Sequence, residues 1–210
     1  MHGIGDVRFF DRFARIYDWV MPAADRQSLA AALSRADGDI DRLLDLGGGT
    51  GRAAIAVDAP GRTVVDISRP MLRRARTRTA SGPGRPGDPS GPLGAVHGDA
   101  GRLPVADDAV DAAIVVDAFH HMPDQQAVVS EAARVLRPGG VFVVREFDPS
   151  HPLGWLLARG EHVFGMKSTF HTPEALADML ADAGFSVTVL DAGFEYTVVG
   201  IAARAAGENR

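Results

Sequence analysis

The chain has 210 residues, a formal net charge of −5 and a hydrophobic fraction of 46%, values that suit one soluble α/β domain with a sizeable core and leave little room for two. The negative balance argues against a nucleic-acid surface, whose affinity comes from clustered cations; Arg73, Arg74, Arg76 and Arg78 read as the solvated face of a surface helix. With no cysteine there is no disulfide, thiolate metal site or cysteine nucleophile. Neither a signal peptide nor an apolar run of membrane-spanning length is evident, so a cytoplasmic location is expected.

Residues 6–20 carry Val7, Phe10, Phe13, Ala14, Ile16, Tyr17 and Val20 at helical spacing, which predicts an amphipathic N-terminal helix. A second helix runs from Pro22 to about Ser34 and ends at Asp37-Gly38. The apolar run Ile40 to Leu46 then meets Gly47-Gly48-Gly49-Thr50-Gly51. Such a run reads as a buried parallel strand, and the glycines allow a sharp turn and close approach of a ligand to bare backbone. A helix starting at Thr50 is expected to turn free N–H groups and the positive end of its dipole toward that ligand. The pattern predicts a site for a nucleotide-like small molecule.

A short helix at 53–57 leads to a second strand, 63–65, that ends in Asp66. An acid about twenty residues after the first glycine of such a turn is placed to accept hydrogen bonds from ribose hydroxyls. Ser68 is a cap for a helix over 71–79, and the glycine- and proline-rich stretch 80–92 can form neither helix nor ladder. Strands are expected at 93–97, before Gly98-Asp99-Ala100, and at Val110 to Val116, before Asp117-Ala118-Phe119-His120-His121. A helix from Gln125 to Leu136 is stopped by Arg137-Pro138-Gly139-Gly140, and a nearly all-apolar fifth strand covers 141–147. Beyond Asp148 the pattern predicts helices at 153–163 and 175–183, the latter capped by Thr172. Two closing strands follow at 185–190 and 196–203.

The dinucleotide fingerprint G-x-G-x-x-G accommodates Gly47 and Gly49, but its third position is Arg52. The pattern present is Asp45-x-Gly47-x-Gly49-x-Gly51, which resembles the first motif of the class I S-adenosylmethionine (SAM) dependent methyltransferases. Three further stretches resemble the same family, in order: residues 10–18 (FDRFARIYD), Gly98-Asp99-Ala100, and the helix-to-strand turn from Glu131 to Gly140 (EAARVLRPGG). The likeness covers about residues 10–147 and extends to the ubiquinone/menaquinone-biosynthesis C-methyltransferases. It implies an α/β fold: a Rossmann-like, seven-stranded, mostly parallel sheet with a C-terminal antiparallel hairpin and an N-terminal helical lid. The expected layout is one methyltransferase domain over 1–210, with a lid at 1–38, a SAM-binding core at 39–147, substrate-side helices at 148–184, and the closing hairpin and tail at 185–210.

Asp45, Asp66, Asp99 and Asp117 all lie at the C-terminal ends of predicted strands, where ligands of open α/β sheets bind. Four carboxylates in such positions are hard to explain as packing. By the resemblance, Asp45 and Gly47 adjoin the methionine part of SAM, Asp66 the ribose, and Asp99 and Ala100 the adenine, with Gly49, Gly51 and Ile67 also among the cofactor-binding residues. Asp117 adjoins the amino group or the transferred methyl. Tyr17 either covers the cofactor or simply packs the core. His120, His121 and Asp148 are the candidate general bases, with Glu146, His151 and His171 nearby. The spacing of the histidine pair defines no metal site and no third ligand is evident, so no metal is expected. Phe9, Phe13, Tyr17, Trp19, Trp155, Leu156, Phe164 and Met166 offer an aromatic roof suited to a flat or lipidic acceptor.

The leading expectation is SAM-dependent methyl transfer to a small organic acceptor at oxygen, carbon or nitrogen, with quinone or phenol-like acceptors favoured and no nucleic-acid partner. Monomer and homodimer both stay open. The alternatives are an NAD(P)-dependent oxidoreductase and a catalytically silent SAM-binding protein.

Overall fold

The computed structural model describes residues 25–80, 93–163, 166–191 and 193–203. The expected N-terminal helix, Tyr17 included, and residues 81–92 lie outside the described residues. The strands are β1 (Arg42–Leu46), β2 (Gly61–Asp66), β3 (Gly94–His97), β4 (Val110–Val116), β5 (Leu136–Phe147), β6 (Phe185–Leu190) and β7 (Glu195–Ala202). They form one sheet in the order β3-β2-β1-β4-β5-β7-β6. Strands β1 to β5 pair in parallel, and β7 runs antiparallel to both β5 and β6. The seven-stranded, mostly parallel sheet with its antiparallel closing pair is the expected fold class. Strand order reverses between β1 and β4, and the crevice outside the carboxyl ends of a parallel sheet opens at such a reversal.

Both faces of the sheet are covered, which is why its central strands are apolar without alternation. Leu44, Leu46, Ala113, Val115, Phe142 and Val144 pack on one side against α3 (Gln125–Val135) and α5 (Pro173–Asp182). Leu43, Ala112, Ile114, Val141 and Val143 pack on the other against α1 (Arg26–Leu33). Val64 and Leu93 join Leu72 and Ala75 of α2 (Arg69–Ala80). The caps follow the sequence: Ser68 Oγ accepts the Met71 amide at 3.3 Å, and Thr172 Oγ1 accepts that of Ala175 at 3.3 Å. The first helix of the substrate side, α4, spans Pro152–Val163.

Two expectations change. No α-helix follows the glycine turn; a single 3₁₀ turn, Ala54–Ala56, takes its place. Pro60-Gly61 ends the available length before a second turn can form, so no helix dipole of consequence points at the site and the turn's own amides must serve. The fifth strand also begins earlier than expected, at Leu136. The Arg137-Pro138-Gly139-Gly140 turn is a bulge inside it, because the register jumps from Val110↔Leu136 to Ala112↔Val141. Gly139 absorbs the bulge at φ +79°, and its carbonyl accepts the Asp37 amide at 3.0 Å.

Candidate active site

A cleft of about 590 Å³ opens at the strand-order reversal, within the range of small-molecule sites. Its first wall is the glycine turn. Gly47, Gly49 and Gly51 have φ of +66°, +56° and +77°, conformations side-chain-bearing residues rarely hold. Gly47 and Gly49 line the cleft. Gly51 does not: a Cβ there would lie 2.6 Å from Leu93 Cδ2, so its smallness serves the packing of β1's turn against the core.

The strand-end acids divide in the same way. Asp66, Ile67, Asp99, Ala100 and Asp117 line the cleft. Asp66 is held by two backbone amides, Gly49 N on Oδ2 at 2.8 Å and Ser68 N on Oδ1 at 2.7 Å. Asp99 Oδ1 accepts the Gly101 amide at 2.9 Å. Asp117 sits in the left-handed region at φ +53°, a strained conformation for a non-glycine residue. Its Oδ1 is buried with no hydrogen-bond partner, and burial together with the nearby Glu146 carboxylate pushes its pKa up to about 6. Asp45, by contrast, is fully buried and does not border the cleft. Its carboxylate accepts the Ala54 amide at 3.1 Å and packs against Gly48, whose added Cβ would meet Asp45 Cγ at 2.3 Å. Burial raises its pKa to about 7. Asp45 therefore supports the glycine turn from the protein side.

At the other end of the cleft the three expected bases separate. His121 borders the cleft; His120 and Asp148 do not. Asp148 accepts the Ser150 amide at 2.8 Å and the Ser150 hydroxyl at 2.6 Å, capping the turn that leads into α4. His120 is 3% exposed, with Nδ1 2.7 Å from Glu146 Oε2, Nε2 3.6 Å from Glu161 Oε1, and its ring stacked on Phe170 at 4.3 Å. Burial alone would lower the His120 pKa, but Glu146 overrides it and Glu161 adds to the effect, lifting it to about 10. Burial and the neighbouring His120 hold His121 down, at about 4. Ser168 Oγ lies 3.2 Å from His121 Nδ1.

Sequence reasoning missed the segment that closes this end. Lys167 and Thr169 line the cleft, whereas Trp155 and Leu156 of the expected aromatic roof are largely exposed and, like Met166, stay out of it. The other roof residues lie outside the described part. Gln125 holds the segment in place: Nε2 donates to the carbonyls of Phe119 at 2.9 Å and Thr169 at 2.8 Å, and Oε1 is 2.7 Å from His171 Nε2. The Thr169 amide donates to the His120 carbonyl at 2.8 Å. Glu161, likewise unforeseen as a neighbour, supplies the histidine pair with a third potential ligand. Apart from Gln125 and Phe119, these partners are far apart in sequence, and no local pattern announces them.

An open α/β sheet with a glycine turn at its strand-order reversal and acids on the tips of β2 and β4 defines a nucleotide-cofactor enzyme. Comparison with known proteins narrows the class. A family described as a methyltransferase domain matches residues 44–144. Demethylmenaquinone methyltransferase of Thermus thermophilus is 34% identical over 208 residues, 87% of this chain and 88% of that protein. Malonyl-[acyl-carrier protein] O-methyltransferase of Xylella fastidiosa is 33% identical over 204 residues, 91% of this chain and 66% of that protein. Among solved structures, a SAM-dependent methyltransferase of Thermotoga maritima, described as a possible histamine N-methyltransferase, shares the fold with a TM-score of 0.73 at 23% identity, covering 92% of this chain and 98% of its own. The chain belongs to the class I SAM-dependent methyltransferases: it is an enzyme that transfers methyl groups, and SAM is its cofactor. These likenesses do not favour a nicotinamide oxidoreductase. The residues fit the cofactor, since the cleft offers side-chain-free backbone at Gly47 and Gly49 and an unpartnered, buried carboxylate oxygen at Asp117 for a cationic ligand. No helix among the described residues is long and apolar enough to cross a membrane.

Proposed function

We propose that the methyl acceptor is a small planar ring bearing a hydroxyl, of the quinol or phenol type, seated at the His121 end of the cleft. The observation that carries this reading is the separation of the three expected bases: His121 alone of them borders the cleft, beside Met122, Pro123 and Thr169. That corner combines an apolar surface for a ring with one imidazole for its hydroxyl. The 34% identity to a demethylmenaquinone methyltransferase supports an acceptor of this kind.

When bound, SAM supplies a methyl group on a positively charged sulfur, ready for displacement. The chain's contribution is placement and charge. Asp66, flanked by Ile67, binds the ribose hydroxyls, Asp99 and Ala100 hold the adenine, and the ionised Asp117 faces the cationic methionine end. Gly47 and Gly49 let the ligand approach the backbone, while Asp45 and Gly51 keep the turn in shape. His121 meets the acceptor hydroxyl and orients it. The enzyme so read works in the cytoplasm on a free small molecule and not on nucleic acid.

The test is a radiolabelled methyl-transfer screen of quinols, phenols, amines and carboxylates, run beside calorimetric SAM titration of wild type and His121→Ala. Turnover of a quinol or phenol that falls at least tenfold in His121→Ala, with SAM affinity unchanged, is the expected result. Methylation confined to amines or carboxylates would overturn the acceptor class, and unchanged turnover in His121→Ala would overturn the role of that residue.

A further inference from the structure

Four ionisable side chains from three elements converge where α4 meets the strand ends. Glu146 comes from the end of β5, His120 and His121 from the 3₁₀ turn Phe119–His121, and Glu161 from α4. One ligand atom from each of His120, His121 and Glu161 lies within 4.8 Å of the other two. His120 Nε2 and Glu161 Oε1 stand 3.6 Å apart. That exceeds a normal N–H···O hydrogen bond but is near the ~3.4 Å edge of a tetrahedron built on metal–ligand bonds of ~2.1 Å.

The other nitrogen of His120 is committed: Nδ1 is 2.7 Å from Glu146 Oε2. A carboxylate on one ring nitrogen fixes the tautomer and orientation of a histidine whose second nitrogen binds metal. Glu146 and Glu161 side chains are only 4% and 13% exposed, and Glu161 Oε2 is buried without a hydrogen-bond partner. A protonated His120 answers one of these two carboxylates. A divalent cation held by neutral imidazoles answers both, and removes the cost of a buried charge left over.

We propose that His120, His121 and Glu161 form a divalent-cation site, with Glu146 as the orienting partner of His120. Two imidazoles and one carboxylate suit zinc, cobalt(II) or nickel(II) better than the all-oxygen sites of magnesium or calcium. Three protein ligands leave a coordination position open, and His121 borders the cleft, so that position serves the acceptor's oxygen or a water. Only this last point rests on the acceptor end proposed above; the site itself does not.

The experiment uses the full-length protein, stripped with a chelator and dialysed, then titrated with zinc by calorimetry and with cobalt(II) by visible absorption, with SAM titrated in parallel. One equivalent of metal per chain, a tetrahedral or five-coordinate cobalt spectrum, and at least tenfold weaker metal binding in Glu161→Gln are expected. Glu146→Gln should weaken metal binding by 10–100-fold, the usual effect of losing an orienting partner. Wild-type protein that binds no stoichiometric metal, or Glu161→Gln that binds it as tightly as wild type, would overturn the proposal. The cobalt spectrum of the wild type needs no variant to fold. If stripped protein binds SAM and methylates a phenol without metal, the role given to the open coordination position is overturned, while the metal site is judged by the titrations and the proposed function stands.

Discussion

Asp66 Oδ2 accepts the backbone amide of Gly49 at 2.8 Å, tying the tip of β2 to the glycine turn after β1. One carboxylate thus shapes the floor of the cleft and, on the reading proposed here, holds the ribose of the cofactor. Its other oxygen takes the Ser68 amide at 2.7 Å, so the side chain is oriented before any ligand arrives and little entropy is lost on binding.

Asp66→Ala should weaken SAM binding by about 1–3 kcal/mol, the cost of leaving buried hydrogen-bonding groups unpaired. Calorimetry measures it directly. An unchanged affinity would remove Asp66 from the cofactor site.

SAM binding should fall in acid through Asp117. Burial and Glu146 lift its pKa to about 6, above the ordinary carboxylate value, so the carboxyl is ionised above that pH and neutral below it. SAM is cationic and is held by the ionised form. The dissociation constant should therefore be flat above pH 7 and rise by up to about tenfold per pH unit below 6, the limit for loss of one proton-linked contact. Asp117→Asn should bind more weakly at neutral pH and lose most of this dependence. A variant that keeps the wild-type pH profile would show the titrating group to be another.

Gly51→Ala should destabilise the fold by roughly 1–3 kcal/mol, since the new methyl would meet Leu93 Cδ2 at 2.6 Å and the backbone stays at φ +77°. Urea denaturation monitored by circular dichroism reads the loss. If the midpoint does not move, the turn has a second conformation open to it and the packing account is wrong.

In the metal-free protein, where His120 is protonated beside Glu146, His120→Ala should lower stability by about 3–5 kcal/mol, the cost of breaking a buried ion pair from one side and leaving Glu146 uncompensated. The mutation removes a bridge between β5 and α4 without touching any residue of the cofactor wall. At a temperature where the variant remains folded, its SAM affinity should match that of wild type. A drop in turnover with no loss of stability would make His120 a direct participant in the chemistry.

Much of the cofactor half was legible because its signals are local. Strands β4 and β6 run over Val110–Val116 and Phe185–Leu190, as the apolar runs and their flanking breakers predict. Ser68 and Thr172 cap the helices they precede. Gly47 and Gly49 follow from the need for bare backbone at a strand end, and Asp66 from its distance along the chain. The missing helix after the turn was less legible, because residues 53–57 have helical composition and only the nearby Pro60-Gly61 limits them.

By itself, then, the amino-acid sequence determined the sheet, its glycine turn and the acids on its strand tips, since each depends on sterics and hydrophobic period within a few residues. Only the tertiary structure decided which side each polar group faces. Asp45 turns under Gly48 while Asp66 faces the cleft, and His120 is buried against Glu146 and Glu161 while its neighbour His121 borders the cleft. Adjacent residues in a 3₁₀ turn point in different directions, and their partners arrive from β5, from α4 and from Ser168, 47 residues away from His121. Such pairings are settled by packing and charge compensation across the whole sheet, which no short window of sequence contains.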